Sequence, residues 1–194
     1  MSEQVYVAAD LGASGGRVVA GAFDGRRLRL EELHRFENRA VAAAGGLFWN
    51  VLTLWSNVCD GLRIAGSRYG AVQSVGVDTW GVDFGLLGRG DVLLENPRSY
   101  RDPRSEGMLE RVLELVSREE IFAQTGLQFM PINTLYQLFS LRMNRPSLLD
   151  VAESLLLMPD LFHWLLTGVK SNEFTNATTT QFFNSMRGAW AREL

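Results

Sequence analysis

The chain has 194 residues, enough for one domain or slightly more with a real core. Its 46 % hydrophobic and 21 % charged residues are ordinary globular values, and a net charge of −3 leaves no electrostatic footprint for nucleic acid. A single cysteine, Cys59, excludes an intrachain disulfide framework and suits a reducing compartment. No apolar run is long enough for a bilayer, and the acidic start MSEQVYVAAD runs straight into a strand without a leader. A cytoplasmic protein, or part of one, is expected.

Residues 5–9, Val-Tyr-Val-Ala-Ala, have the length and composition of a buried strand. Asp10 follows, then the small residues Gly12, Ala13, Ser14, Gly15 and Gly16, then Arg17 and a second apolar run over 18–23. No helix separates the two runs, so the spacing predicts a strand-turn-strand unit and excludes a P-loop or Rossmann fingerprint. Asp24-Gly25 marks a hairpin turn into a third strand that alternates from Leu28 to His34. Residues 37–48 read as a loop. Asn50 then caps a helix with the apolar stripe Val51, Leu54, Trp55, Val58, Cys59 and Leu62, which places Cys59 in the core.

Residues 72–77 form a fourth strand, reached by a helical crossover and so expected to run parallel to the first. A fifth is expected over 82–87, before the turn Gly88-Arg89-Gly90-Asp91. Three antiparallel strands, a helix and another strand make the β-β-β-α-β order of an α/β, ribonuclease-H-like core. The second half carries almost no strand signal. Helices are expected over 106–116, over 119–125 between a Ser117 cap and Gly126, over 134–144, and from Pro159 towards Gly168.

Polar segments lie where these elements end. In the first turn, small residues let backbone N–H groups approach an anion, and Asp10 could hold a Mg²⁺ against the same phosphates. The plain alternative is a Gly-rich hairpin whose turn Asp10 caps, and spacing alone leaves both open. Asp78-Thr79-Trp80-Gly81-Val82-Asp83-Phe84 follows an apolar strand and suits a polyhydroxylated ligand, or else an Asx-type turn beside a core Trp. Tyr100-Arg101-Asp102-Pro103-Arg104 is either an ion-pair clasp or a ligand contact. Residues 126–134 join a polar loop to a helix cap at Asn133, and residues 174–181 either line a polar cleft or start a helix at Thr175 or Asn176. His34 and His163 are isolated from other metal-ligand or catalytic residue types.

Taken in order, Asp10-Leu-Gly-Ala-Ser-Gly-Gly-Arg17, Asp78-Thr-Trp-Gly-Val-Asp-Phe84, Tyr100-Arg-Asp-Pro-Arg104, Pro131-Ile-Asn-Thr-Leu-Tyr-Gln137, Leu157-Met-Pro-Asp160 and Thr175-Asn-Ala-Thr-Thr-Thr-Gln181 resemble the amino-terminal domain of the FGGY carbohydrate kinases, in their rhamnulokinase branch. The resemblance spans nearly the whole chain. It implies an actin/hexokinase-type fold and transfer of the γ-phosphoryl of ATP to a sugar hydroxyl, in this branch the 1-hydroxyl of L-rhamnulose. Carried over by motif, Ala13, Ser14, Gly15, Gly16 and Arg17 would bind the ATP phosphates and Asp10 would position Mg²⁺. Gly81 would lie against the sugar, with Asp83 and Asn133 as further candidates. Gly15 departs from the family's usual serine, which removes one hydroxyl from the turn. The resemblance also implies a carboxyl-terminal lobe carrying the catalytic base, in a His-Asp-Thr-like motif absent from this chain, and the adenine pocket. Residues 1–194 are then one lobe, inactive by itself, and the surface facing the other lobe is expected to allow dimers. The alternatives are a kinase of L-fuculose, xylulose or another ketose or polyol, and a non-catalytic sugar-binding or actin-like module.

Overall fold

The computed structural model describes residues 3–194. In chain order the strands and helices are β1 (Gln4–Leu11), β2 (Gly15–Phe23), β3 (Leu28–Glu37), β4 (Val41–Ala43), β5 (Gly46–Phe48), α1 (Val51–Tyr69), β6 (Ser74–Thr79), β7 (Phe84–Gly88) and β8 (Val92–Leu93). They continue with α2 (Met108–Leu113), α3 (Arg118–Thr125), α4 (Thr134–Asn144), α5 (Pro146–Asp150), β9 (Ala152–Leu157), α6 (Met158–Thr167), α7 (Phe174–Ala177), β10 (Phe183–Asn184) and β11 (Ala189–Trp190). The chain divides into two compact units. One comprises the residues up to Val41 with Trp49–Trp80, the other Ala42–Phe48 with Gly81–Leu194.

The first unit is a four-stranded sheet in the order β3-β2-β1-β6. β1–β2 and β2–β3 are antiparallel, and β6 runs parallel to β1 after the α1 crossover, as the sequence predicts. Period-two alternation decides which face is covered: Val5, Val7, Ala9 and Leu11 of β1 and Val18, Ala20 and Ala22 of β2 are buried. The helix contributes Val51, Leu54, Val58, Gly61 and Ala65. Gly61 is needed at this crossing, because a Cβ there would lie 2.4 Å from Val18 Cγ2. Asn50 caps α1 as expected, its side-chain oxygen accepting from Thr53 N at 3.2 Å. Cys59 is half-buried at the stripe's margin, a correction to its placement in the core.

The second unit departs further from expectation. Residues 41–48, read as a loop, are the hairpin β4–β5, turned by Ala44 (φ 47°) and Gly45 (φ 73°). An Ala-Gly turn between short small-residue strands carries little pattern. The expected fifth strand starts at Phe84 and is the centre of a separate antiparallel sheet, β8-β7-β9. Its partner β9 was invisible because Ala-Glu-Ser-Leu-Leu-Leu favours helix locally, and pairing with β7 overrides that preference. The helix expected over 106–116 is shorter, with Gly107 in the left-handed region at its start. Ser117, Gly126, Pro159 and Gly168 bound their helices as predicted. α7 is capped by Glu173, not by Thr175 or Asn176. One core gathers Phe84, Leu86, Leu141, Leu157, Ala177 and Phe183, and another packs α2, α3 and α4 around Ile121 and Tyr136. Among the described residues no helix is long and apolar enough to cross a membrane.

Candidate active site

The Gly-rich turn joins β1 to β2 at the end of the first unit's sheet. Gly12 N donates to Gly15 O at 2.8 Å, and Asn38, 3 % exposed, ties the turn from behind. Its Nδ2 donates to Gly12 O at 2.8 Å and its backbone N to Ser14 O at 3.4 Å. The turn's glycines keep ordinary negative φ and are required for close approach instead. A Cβ on Gly16 would fall 2.4 Å from the Phe36 ring, and one on Gly12 3.1 Å from Gly15 O. Ala13, Ser14 and Gly15 are at least partly accessible, and Ser14 and Gly15 line an open concavity with Asp10, Arg17 and Arg35.

Strand register lines up charge along this rim. Asp10 pairs with Arg17 on β2 and with Asp78 on β6, and Arg17 pairs in turn with Arg35 on β3. Asp10 Oδ2 accepts from Arg17 Nε at 2.9 Å and Nη2 at 2.8 Å. Both side chains are nearly half exposed, so water screens the pair and it is readily exchanged for other partners. No cluster of three or more His, Cys, Asp or Glu that could hold a metal occurs among the described residues. One exposed carboxylate fits a Mg²⁺ that arrives bound to phosphates and keeps most of its water, the usual way such ions are held.

In the second unit three stretches interlock around Gly81 and Val82. Gly81 is half-buried, with Thr179 and Asn176 beside it; a Cβ would meet Thr179 Oγ1 at 3.3 Å and Asn176 Oδ1 at 3.5 Å. Val82 sits at φ 67°, a conformation that disfavours a β-branched residue by about 1–3 kcal/mol. Asp83 N donates to Gly81 O at 2.9 Å, closing a γ-turn around it. The Val82 carbonyl accepts from Thr134 Oγ1 at 2.6 Å and Gln137 Nε2 at 3.3 Å, and its N–H donates to Thr179 Oγ1 at 3.3 Å.

Asp83 and Asn133, expected against the sugar, have their side chains turned into the domain. Asp83 is fully buried; Oδ1 accepts from Gln137 Nε2 at 3.0 Å and Oδ2 from Tyr100 N at 3.1 Å. Asn133 starts α4 without capping it, a correction to its expected role. Its Nδ2 donates to Gln128 O and to Gln181 Oε1, both at 2.9 Å. Gln181 is itself buried and left-handed at φ 63°. Sequence reasoning missed the individual holding roles of Asn38, Thr134, Gln137 and Thr179; the last three lie in segments it did single out.

Within the Tyr100–Arg104 segment Asp102 Oδ1 lies 3.8 Å from Arg104 Nη1. Arg104 Nη2 donates to Gln137 Oε1 at 2.5 Å, and buried Asp102 accepts from Leu47 N at 2.6 Å and Arg104 N at 2.9 Å. Burial lowers the Arg104 pKa to about 10, opposed by the nearby Asp102 and Asp83 carboxylates. The Leu157-Met-Pro-Asp160 segment anchors the 172–181 stretch. Asp160 Oδ1 accepts from Glu173 N at 3.1 Å, while Oδ2 is buried without a partner. Burial pushes the Asp160 carboxyl up to about 6, against the pull of that hydrogen bond and of His163.

The four-stranded sheet with its β-β-β-α-β order is that of an α/β domain of the actin/hexokinase type. Residues 5–194 match the FGGY family of carbohydrate kinases, N-terminal domain, and the chain belongs to that family. It is 42 % identical over 192 residues to a rhamnulokinase of Oceanobacillus iheyensis, covering 99 % of this chain and 41 % of that protein. To a rhamnulokinase of Bacteroides thetaiotaomicron it is 41 % identical over 183 residues, 94 % of this chain and 38 % of that one. The chain therefore spans about two fifths of these relatives' length. In fold it resembles a gluconate kinase from Lactobacillus acidophilus (TM-score 0.86, 16 % identity, 99 % of this chain and 39 % of that one). A Plasmodium falciparum glycerol kinase solved with ADP shares the fold more distantly (TM-score 0.73, 14 % identity, 98 % and 40 % covered).

Proposed function

We propose that residues 1–194 form the amino-terminal lobe of an ATP-dependent ketose kinase that converts L-rhamnulose to L-rhamnulose 1-phosphate. The observation that carries this reading is identity of about two fifths to proteins named rhamnulokinase along nearly the whole chain. In the reaction a sugar hydroxyl oxygen bonds to the γ-phosphorus, the bond to the β–γ bridging oxygen breaks, and ADP leaves. Such transfers depend on positioning and on neutralising charge at the phosphoryl oxygens. Gly12–Gly16 supply a turn whose backbone lets phosphate approach closely. Arg17, exchanging its screened pair with Asp10 for phosphate oxygens, supplies positive charge. Asp10 is the residue that would hold Mg²⁺, which when bound neutralises phosphate charge. Gly81 presents backbone to the sugar, and Asp83 and Asn133 act from behind it. The adenine pocket and the base that takes the hydroxyl proton are assigned to a carboxyl-terminal lobe.

The test is ADP release by the full-length gene product with L-rhamnulose, L-fuculose and xylulose. The expected result is preference for L-rhamnulose, with Asp10→Ala lowering kcat by about 100-fold or more while sugar binding stays within a few-fold. Preference for xylulose or L-fuculose refutes the substrate assignment, and near-parental turnover of Asp10→Ala refutes the role of Asp10.

A further inference from the structure

We propose that Thr134 and Thr179 are positioning residues for the sugar, clamping Val82 in a γ-turn at positive φ that fixes how Gly81 is presented. The inference deepens the kinase reading and rests on it. Valine is a poor residue for φ 67°, and left alone it relaxes to extended backbone. Here both of its backbone groups are held: the carbonyl by the hydroxyl of Thr134, which is fully buried, and the N–H by Thr179 Oγ1. Thr179 donates its own proton to Asn176 O at 2.8 Å, so its oxygen is left to accept from Val82. The same side chain packs against Gly81, where an added Cβ would find its Oγ1 at 3.3 Å. Asn133 to Gln181 then locks the stretch bearing Thr134 to the stretch bearing Thr179.

A clamped, strained turn has one conformation, whereas an unclamped one has several. Strain of this kind persists where surrounding groups over-determine it, and a preset loop loses less freedom when a polyhydroxylated ligand binds.

The test uses the full-length protein with Thr134→Val, Thr134→Ser, Val82→Gly and the Thr134→Val/Val82→Gly double variant. Two quantities are read: sugar KM against kcat and ATP KM, and hydrogen exchange at the Asp83 amide that closes the turn. Thr134→Val is expected to raise the KM for L-rhamnulose by about 10-fold and Asp83 exchange by at least as much, with ATP KM within about 2-fold. Thr134→Ser, which keeps the hydroxyl, returns both to within about 3-fold of the parent. Glycine tolerates φ 67°, so on the Val82→Gly background the Thr134→Val penalty shrinks, a non-additivity that general packing damage does not produce. Thr179→Val tests the other jaw at a less buried position and is expected to act alike. Unchanged Asp83 exchange in both threonine variants, or a Thr134→Val penalty that is the same with and without Val82→Gly, overturns the clamp. A parent without sugar turnover overturns the kinase reading and the clamp's sugar role with it, while the exchange data still decide whether the turn is clamped.

Discussion

Gly61→Ala pits helix propensity against packing, and the structure says which wins. Gly61 lies within the 19-residue helix α1, where alanine is better by about 1 kcal/mol on propensity alone. The new Cβ, however, would stand 2.4 Å from Val18 Cγ2, 2.5 Å from Val18 Cβ and 2.9 Å from Val18 Cγ1. Because Val18 Cβ is itself among the clashing atoms, no rotamer of Val18 relieves the contact. Val18 is fully buried on β2, which is hydrogen-bonded on both sides, so the helix must lift by roughly 1 Å and surrender contacts along its stripe. Overpacking of this kind costs about 1–3 kcal/mol, here towards the upper end, leaving a net loss of about 1–2 kcal/mol after the propensity gain. For a chain of this size that is a fall in Tm of about 2–8 °C by calorimetry. Val18→Ala should cost about 2 kcal/mol alone by opening a cavity, yet combining it with Gly61→Ala should cost less than the sum, because the new methyl fills vacated space. An unchanged or raised Tm for Gly61→Ala would refute the packing argument.

Two further outcomes follow from buried polar groups in the second unit. Asp160 titrates near 6 when folded and at its ordinary value of 3.8 when free, so between those pH values the folded chain holds a proton that the unfolded chain has released. Its contribution is fully present below about pH 4 and is lost as pH rises to 6, a difference of up to ~3 kcal/mol. Urea midpoints should therefore show parent stability falling relative to Asp160→Asn across that window, with Glu173 and His163 the charged neighbours that modulate it; parallel profiles would contradict this. Gln137→Leu removes one donor from fully buried Asp83 and one acceptor from half-buried Arg104. A loss of about 3 kcal/mol or more is expected in urea unfolding, and a loss under about 1 kcal/mol would show that water or a neighbour replaces the amide.

The first unit was legible because its signals are local. Alternating apolar residues, the Asp24-Gly25 turn, the Asn50 cap and the stripe of α1 each predict an element, and a single crossover connects them in one compact arrangement. The turn carrying Ala13 to Arg17 could be placed between strands for the same reason. Its anchor Asn38 could not, since nothing near residue 38 shows that the end of β3 returns beneath the turn. Residue chemistry left Asp10 open between a metal-positioning and a turn-capping role, and nothing in the sequence indicated that Arg17 faces it across the ladder.

In the second unit the balance reverses. The residues of β9 prefer helix, and only pairing with β7 makes them a strand. Asp83 and Asn133 have the composition of ligand contacts, and the fold buries both, Asp83 bonded to Tyr100 N and Gln137 and Asn133 to Gln128 O and Gln181. Valine at φ 67° contradicts every local preference and is sustained by hydroxyls 52 and 97 residues further along the chain. By itself the sequence determined which short stretches are polar and small enough to meet a phosphate or a sugar, because those properties belong to the residues. Only the tertiary structure decided which of those polar groups remain at the surface and which are used inside, because a buried donor or acceptor must find its partner wherever the fold brings one.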